Sequence, residues 1–148
     1  MNKFDALYLS IIRKLRRHMI TEAVFLKDED PQLEIINAIG NYLKKSYNEN
    51  SSDGYTFKLS EHYVLAVSLS SKKQWYIYLY SLNSNVEKYY AENQATLKDA
   101  IDFALANWGK FKSSNNIINT KYVEETGEEF SNAQIAINGA LQAAQQVE

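Results

Sequence analysis

Three stretches between Tyr55 and Leu79 alternate apolar and polar side chains with a period of two, and no other feature narrows the possible folds of this chain as much. Tyr55, Phe57 and Leu59 share one face of the first stretch, Tyr63, Leu65, Val67 and Leu69 one face of the second, and Trp75, Ile77 and Leu79 one face of the third. Only Glu61 and His62 separate the first two runs, as a tight hairpin requires, and a turn at Ser70 to Lys73 separates the second from the third. The expected result is a three-stranded antiparallel meander. Its third strand carries Tyr76, Tyr78 and Tyr80 on the face opposite Trp75.

Helical spacing surrounds this core. Phe4, Leu7, Tyr8, Ile11, Ile12, Leu15 and Met19 recur at steps of three and four, which predicts a first helix; residues 20–27 stay apolar but leave that stripe, and helix and strand are both open there. The run Asp28, Glu29, Asp30 and Pro31 reads as a break and a restart, with Asp30 as N-cap and Pro31 at the first helical position. Ile35, Ile36, Ile39, Tyr42, Leu43 and Tyr47 outline the second helix, and Asn48 to Gly54 is a turn by composition. After a polar connection, Thr96 caps a third helix built on Leu97, Ala100, Ile101, Ala104, Leu105 and Trp108, with Gly109 at its C-terminal stop. Residues 113–129 read as a long polar connection with a candidate short strand at Ile117 to Val123. Ser131 and Gln134 then have capping-box spacing ahead of an alanine-rich last helix through Ile135, Ile137, Ala140, Leu141, Ala144 and Val147. The fold class expected is α+β: a three-stranded antiparallel meander, with room for a fourth short strand, packed with about four helices in one domain over residues 1–148.

At 148 residues and 45% hydrophobic composition, such a domain can bury a core without staples. It contains no cysteine, which removes disulfides, thiolate metal sites and cysteine nucleophiles and fits a reducing cytoplasm. Arg13, Lys14, Arg16 and Arg17 interrupt the N-terminal apolar residues, so neither a signal peptide nor a membrane span is expected. The net charge of −2 gives no global attraction to phosphate backbones.

Reactive groups are sparse. His18 and His62 are the two histidines, His62 sits in or beside a hairpin turn with no paired ligand spacing around it, and neither a metal nor a cofactor is implied. The acidic runs Asp28, Glu29, Asp30 and Glu124, Glu125, Glu128, Glu129 lie at helix starts, where carboxylates meet the positive end of the helix dipole. Their functional reading is an acidic contact surface for a basic partner, because spaced carboxylates can imitate phosphates. Arg13, Arg16 and Arg17 face away from the first apolar stripe and, with Lys72 and Lys73 at a hairpin tip, could grip phosphate. Tyr76, Tyr78 and Tyr80 form an open stacking or protein-binding platform if helices cover one sheet face, and core if they cover both; four helices for a small sheet favour burial of at least part of the ladder.

Several short patterns carry resemblances. Arg13 and His18, spaced Arg-x4-His, resemble the active-site motif of HEPN-type ribonucleases, which implies attack on RNA with arginine and histidine from paired helices. The order helix, three antiparallel strands, helix from Pro31 to Gly109 resembles the double-stranded-RNA-binding domain, although the helix that should open with a basic cluster begins Thr96, Leu97, Lys98, Asp99 here. The same order is similar to that of small phage proteins that inhibit CRISPR nucleases, and Phe4-Asp5-Ala6-Leu7-Tyr8-Leu9-Ser10-Ile11 resembles the opening of many small proteins of tailed bacteriophages. Together these imply a non-enzymatic phage or mobile-element accessory factor that binds and inhibits a host or defence protein through its acidic clusters or its tyrosines. A small nucleic-acid-binding module using the basic N-terminal helix is the second expectation, and a HEPN-like ribonuclease the third.

Overall fold

The three alternating stretches become neighbouring antiparallel strands in a computed structural model, which describes residues 22–83, 87–108 and 127–147. Among these residues the elements, in chain order, are β1 (Ala23–Val24), α1 (Gln32–Leu43), β2 (Asn48–Asn50), β3 (Gly54–Lys58), β4 (Tyr63–Ser70), β5 (Trp75–Ser81), β6 (Glu87–Gln94), α2 (Leu97–Ala106) and α3 (Gly127–Gln145).

The α+β class stands, but its details need correction. Among the described residues the sheet has six antiparallel strands in place of the expected three-stranded meander, with three helices. The strands follow the order β2-β3-β4-β5-β6, so each neighbour in sequence is a neighbour in space. β1 pairs with Leu69 and Ser70 of β4, just beyond Val67, where Tyr55 of β3 makes its pairing, so β1 and β3 share one lane along β4.

Two of the added strands came from segments that composition assigned to turn and connection. Asn48, Glu49 and Asn50 are all exposed, yet they pair with Thr56, Tyr55 and Gly54 through a three-residue hairpin loop in which Asn50 Oδ1 accepts the N–H groups of Ser52 and Asp53. β6 is polar at Glu87, Lys88, Glu92, Asn93 and Gln94, and it pairs along the whole of β5 with register shifts on either side of Ile77. The predicted first helix, Gly109 and the candidate strand at Ile117 to Val123 lie outside the described residues.

Local signals set the helix ends. Pro31 already has helical dihedrals, φ −58° and ψ −26°, and Asp30 Oδ1 accepts the Gln32 N–H at 2.9 Å, as an N-cap carboxylate does. At the other end Lys44 turns left-handed (φ 58°), and the Lys45 N–H closes on the Gly40 carbonyl at 3.0 Å. Thr96 Oγ1 accepts the Asp99 N–H at 3.0 Å and caps α2. α3 begins four residues earlier than its capping-box spacing implied, so Ser131 and Gln134 lie inside the helix rather than at its start.

Ile36 and Ile39 of α1, Leu97 and Ile101 of α2, and Ile137 and Leu141 of α3 are buried against the face of the sheet that carries Tyr55, Phe57, Leu65, Val67, Trp75, Ile77 and Leu79. Burying a side chain of that size contributes about 1.5–3 kcal/mol, so each member of this layer stabilises the fold appreciably. The small side chains of Ala133, Ala140 and Ala144 let α3 lie close to its neighbours, and Tyr42 of α1 fills the space over Gly139 so fully that a Cβ there would overlap its hydroxyl. The opposite sheet face has its own apolar cluster of Val64, Ala66, Tyr78 and Tyr80.

Candidate functional site

Lys88 and Tyr90 are two residues apart on β6 and therefore point to the same side of the sheet, towards the helices. Ser131, Gln134, Ile135 and Asn138 follow at steps of three, one and three on α3, which places them on one helical stripe. These two rows and Trp108, just past the end of α2, line an open cleft of about 440 Å³. The Tyr90 and Trp108 rings stack 4.7 Å apart and 8° from parallel, forming a flat aromatic wall.

The Lys88 ammonium is held at 2.6 Å by Gln134 Oε1, a neutral oxygen, and lies 5.7 Å from the Tyr90 ring centre. Among the described residues no carboxylate pairs with it. Burial lowers the Lys88 pKa and, at the deeper Tyr90 phenol, raises that group's pKa well above its ordinary value. The Tyr90 hydroxyl donates to the same Gln134 oxygen at 3.3 Å. Ile135 stands at the rim of this cleft, 70% exposed, although the sequence placed it on the apolar stripe of its helix.

A second polar cluster fastens α3 to the β3–β4 hairpin. Glu129 accepts hydrogen bonds from the Ser60 hydroxyl, from the His62 backbone N–H at 2.8 Å and from His62 Nδ1 at 2.7 Å. Desolvation pushes the Glu129 carboxyl upward, but these donors together outweigh it and hold the group below the usual carboxylate range. Ser60 and His62 both spend their contact on the same carboxylate, so the three residues form a structural clamp rather than a relay from nucleophile to base.

The residues singled out from the sequence scatter. Asp28 and Glu29 are exposed in a turn, and Asp30 is occupied in capping. Gln32 Oε1 accepts the Leu97 N–H, which ties the starts of α1 and α2 together, and Gln145 at the end of α3 donates to Asp102 in the middle of α2. Glu129 is held at His62, just before β4 begins, whereas the strand that precedes Asp28, Glu29 and Asp30 pairs at Ser70, the far end of β4, about 23 Å along the strand at 3.3 Å per residue, and the two acidic groups do not form one surface. Glu124 and Glu125 lie outside the described residues, as do Arg13, Arg16, Arg17 and His18. Lys72 and Lys73 are exposed at the β4–β5 turn, Lys73 with a left-handed backbone.

Tyr78 and Tyr80 are core, at 3% and 5% exposure, with the Tyr78 hydroxyl donating to buried Asp53 at 2.8 Å. An open three-tyrosine platform is thereby ruled out for the folded chain. Tyr76 is half-buried and donates to Asn93 Oδ1 at 2.6 Å. Lys88, the cleft's cation, stands out by no pattern in the sequence, and Trp108 and Gln134 are legible there only as a core residue and a cap. The one local signal for this site is the Lys88-x-Tyr90 pair on a polar strand. The chain matches no family model, no curated protein and no solved structure. Among the described residues, no helix is long and apolar enough to cross a membrane.

Proposed function

We propose that this chain is a non-enzymatic interaction protein whose recognition site is the cleft between β6, the end of α2 and the first half of α3. The observation that supports this reading is Lys88: a half-buried cation, opposed by a neutral amide oxygen and an aromatic face, opening into a cleft of about 440 Å³. A cation in that position is partly desolvated, and a partner that brings an anionic oxygen supplies a counter-charge that the described residues do not. The stacked aromatic wall and exposed Ile135 suit a protein surface, where aromatic side chains are enriched and an apolar centre is ringed by polar groups. The resemblance of Phe4 to Ile11 to the opening of small tailed-phage proteins makes a host or defence protein the partner class to assay first, and the cysteine-free composition suits a reducing cytoplasm.

Titration of the isotope-labelled protein with polyglutamate tests the site. Resonances of Trp108, Gln134 and Asn138 are expected to move together and to stop moving in Lys88→Met. Shifts confined to Lys72, Lys73 and their turn would refute this assignment and favour the surface lysines as the anion contact.

A further inference from the structure

Resting on that reading, we infer that the cleft takes an acidic–apolar segment of a protein partner, one carboxylate seated against Lys88 and an adjacent aliphatic side chain laid over Ile135 and the edge of Trp108. Two features separated along the cleft carry this. The first is charge: Lys88 faces Gln134 Oε1 and the Tyr90 ring, both of which attract a cation without neutralising it, so a carboxylate adds a charge-assisted bond where the described residues offer no ion pair to displace. The second is Ile135, which is 70% exposed on the next residue of the same helix stripe. A compact anion seated at Lys88 satisfies the charge and leaves the isoleucine in water. A peptide covers both, because neighbouring side chains of an extended segment are spaced at about 3.3 Å per residue and alternate in direction, which brings two anchors within the reach of one short stretch. Ser131 and Asn138, at the two ends of the α3 stripe, offer hydrogen-bonding groups to the partner's backbone.

The test uses the full chain and four probes: blocked short peptides with Glu-Leu, Glu-Gly or Gln-Leu at their centre, and inorganic phosphate, each followed by shifts of the cleft resonances. Glu-Leu is expected to bind tightest, with Gln-Leu weaker by about tenfold, the effect of removing a charge from a partly desolvated pair. Lys88→Met should erase the preference for Glu over Gln. Ile135→Ser, on an exposed side chain that the fold does not need, should erase the preference for Leu over Gly while preserving that for Glu. Phosphate binding as tightly as Glu-Leu, or a leucine preference that survives Ile135→Ser, overturns the acidic–apolar segment and leaves an anion-binding cleft. If none of the four probes moves the cleft resonances, the cleft reading falls with it.

Discussion

Gly54→Ala tests how tightly the β3–β4 lane is built. Gly54 opens β3 with φ +78°, a left-handed backbone that costs a residue with a Cβ about 1–2 kcal/mol. An alanine Cβ would also sit 2.8 Å from Ser68 Cα and 2.9 Å from the Val67 carbonyl oxygen. Both contacts are backbone, and β4 cannot retreat, because Ser68 pairs with Tyr76 of β5 on its other side. Overpacking of that kind adds about 1–3 kcal/mol. Stiffening of the unfolded chain returns roughly 0.4–1 kcal/mol. The net expected loss is about 2–4 kcal/mol, a large share of the ~5–15 kcal/mol typical of a domain. Urea unfolding should show a lower midpoint with an unchanged slope, and Tm should fall by roughly 5–15 °C. Gly127→Ala is the matched control: its Cβ would meet nothing within 4 Å, and at the first position of α3 the change should stay within about 0.5 kcal/mol. A Gly54→Ala loss below about 1 kcal/mol, or equal responses at the two glycines, would refute the reasoning.

Other substitutions probe the polar contacts. Glu129→Gln should cost about 1–2 kcal/mol near neutral pH by weakening the clamp on Ser60 and His62. Because the folded Glu129 carboxyl titrates below its unfolded value, its contribution is present above the unfolded pKa and is lost as pH falls through the folded one; wild-type urea midpoints should therefore drop more steeply than those of Glu129→Gln as pH falls below the ordinary carboxylate range. Tyr78→Phe removes a donor from buried Asp53 and should destabilise by about 1–3 kcal/mol in thermal unfolding, whereas Tyr76→Phe, at a half-buried ring, should cost less than half as much. Lys44→Gly relieves a left-handed backbone at the end of α1 and should raise stability by about 1 kcal/mol.

The sequence revealed elements that carry their own signal and missed those that borrow it from a neighbour. β3, β4 and β5 are dense runs of β-branched and aromatic residues whose largest apolar side chains recur every second position on the helix-facing side, although β4 and most of β5 are buried on both faces, and α1 and α2 follow from a stripe plus a cap that reads at short range. β2 is three exposed polar residues whose strand character comes wholly from pairing with β3. In β6, Tyr89 lies opposite Tyr78 while Ala91 lies opposite Ile77, and this break in register removes the alternation by which a strand is recognised. The site was harder still. Lys88 meets Gln134 across 46 residues, and His62 meets Glu129 across 67, contacts that only the docking of α3 onto the sheet creates. Charge runs were visible in the sequence but the distance between them was not, and it is the length of β4, from the hairpin that holds Glu129 to the pairing of Ala23 with Ser70, that sets Glu129 apart from Asp28, Glu29 and Asp30.

The strict neighbour order of β2 through β6 has a bearing on synthesis. Each of these strands can zip to the one made just before it as the chain leaves the ribosome, so the sheet needs no segment from downstream to set its register. Its helix-facing side is another matter. Gln145, the last residue of α3, is translated about 50 residues after Gln94 completes β6, a delay of roughly 3–10 s at ordinary elongation rates. Through that interval the nascent sheet presents Leu65, Ile77 and Leu79 with only part of their final cover, a window in which a chaperone would bind and a premature stop before Gly127 would leave an aggregation-prone product.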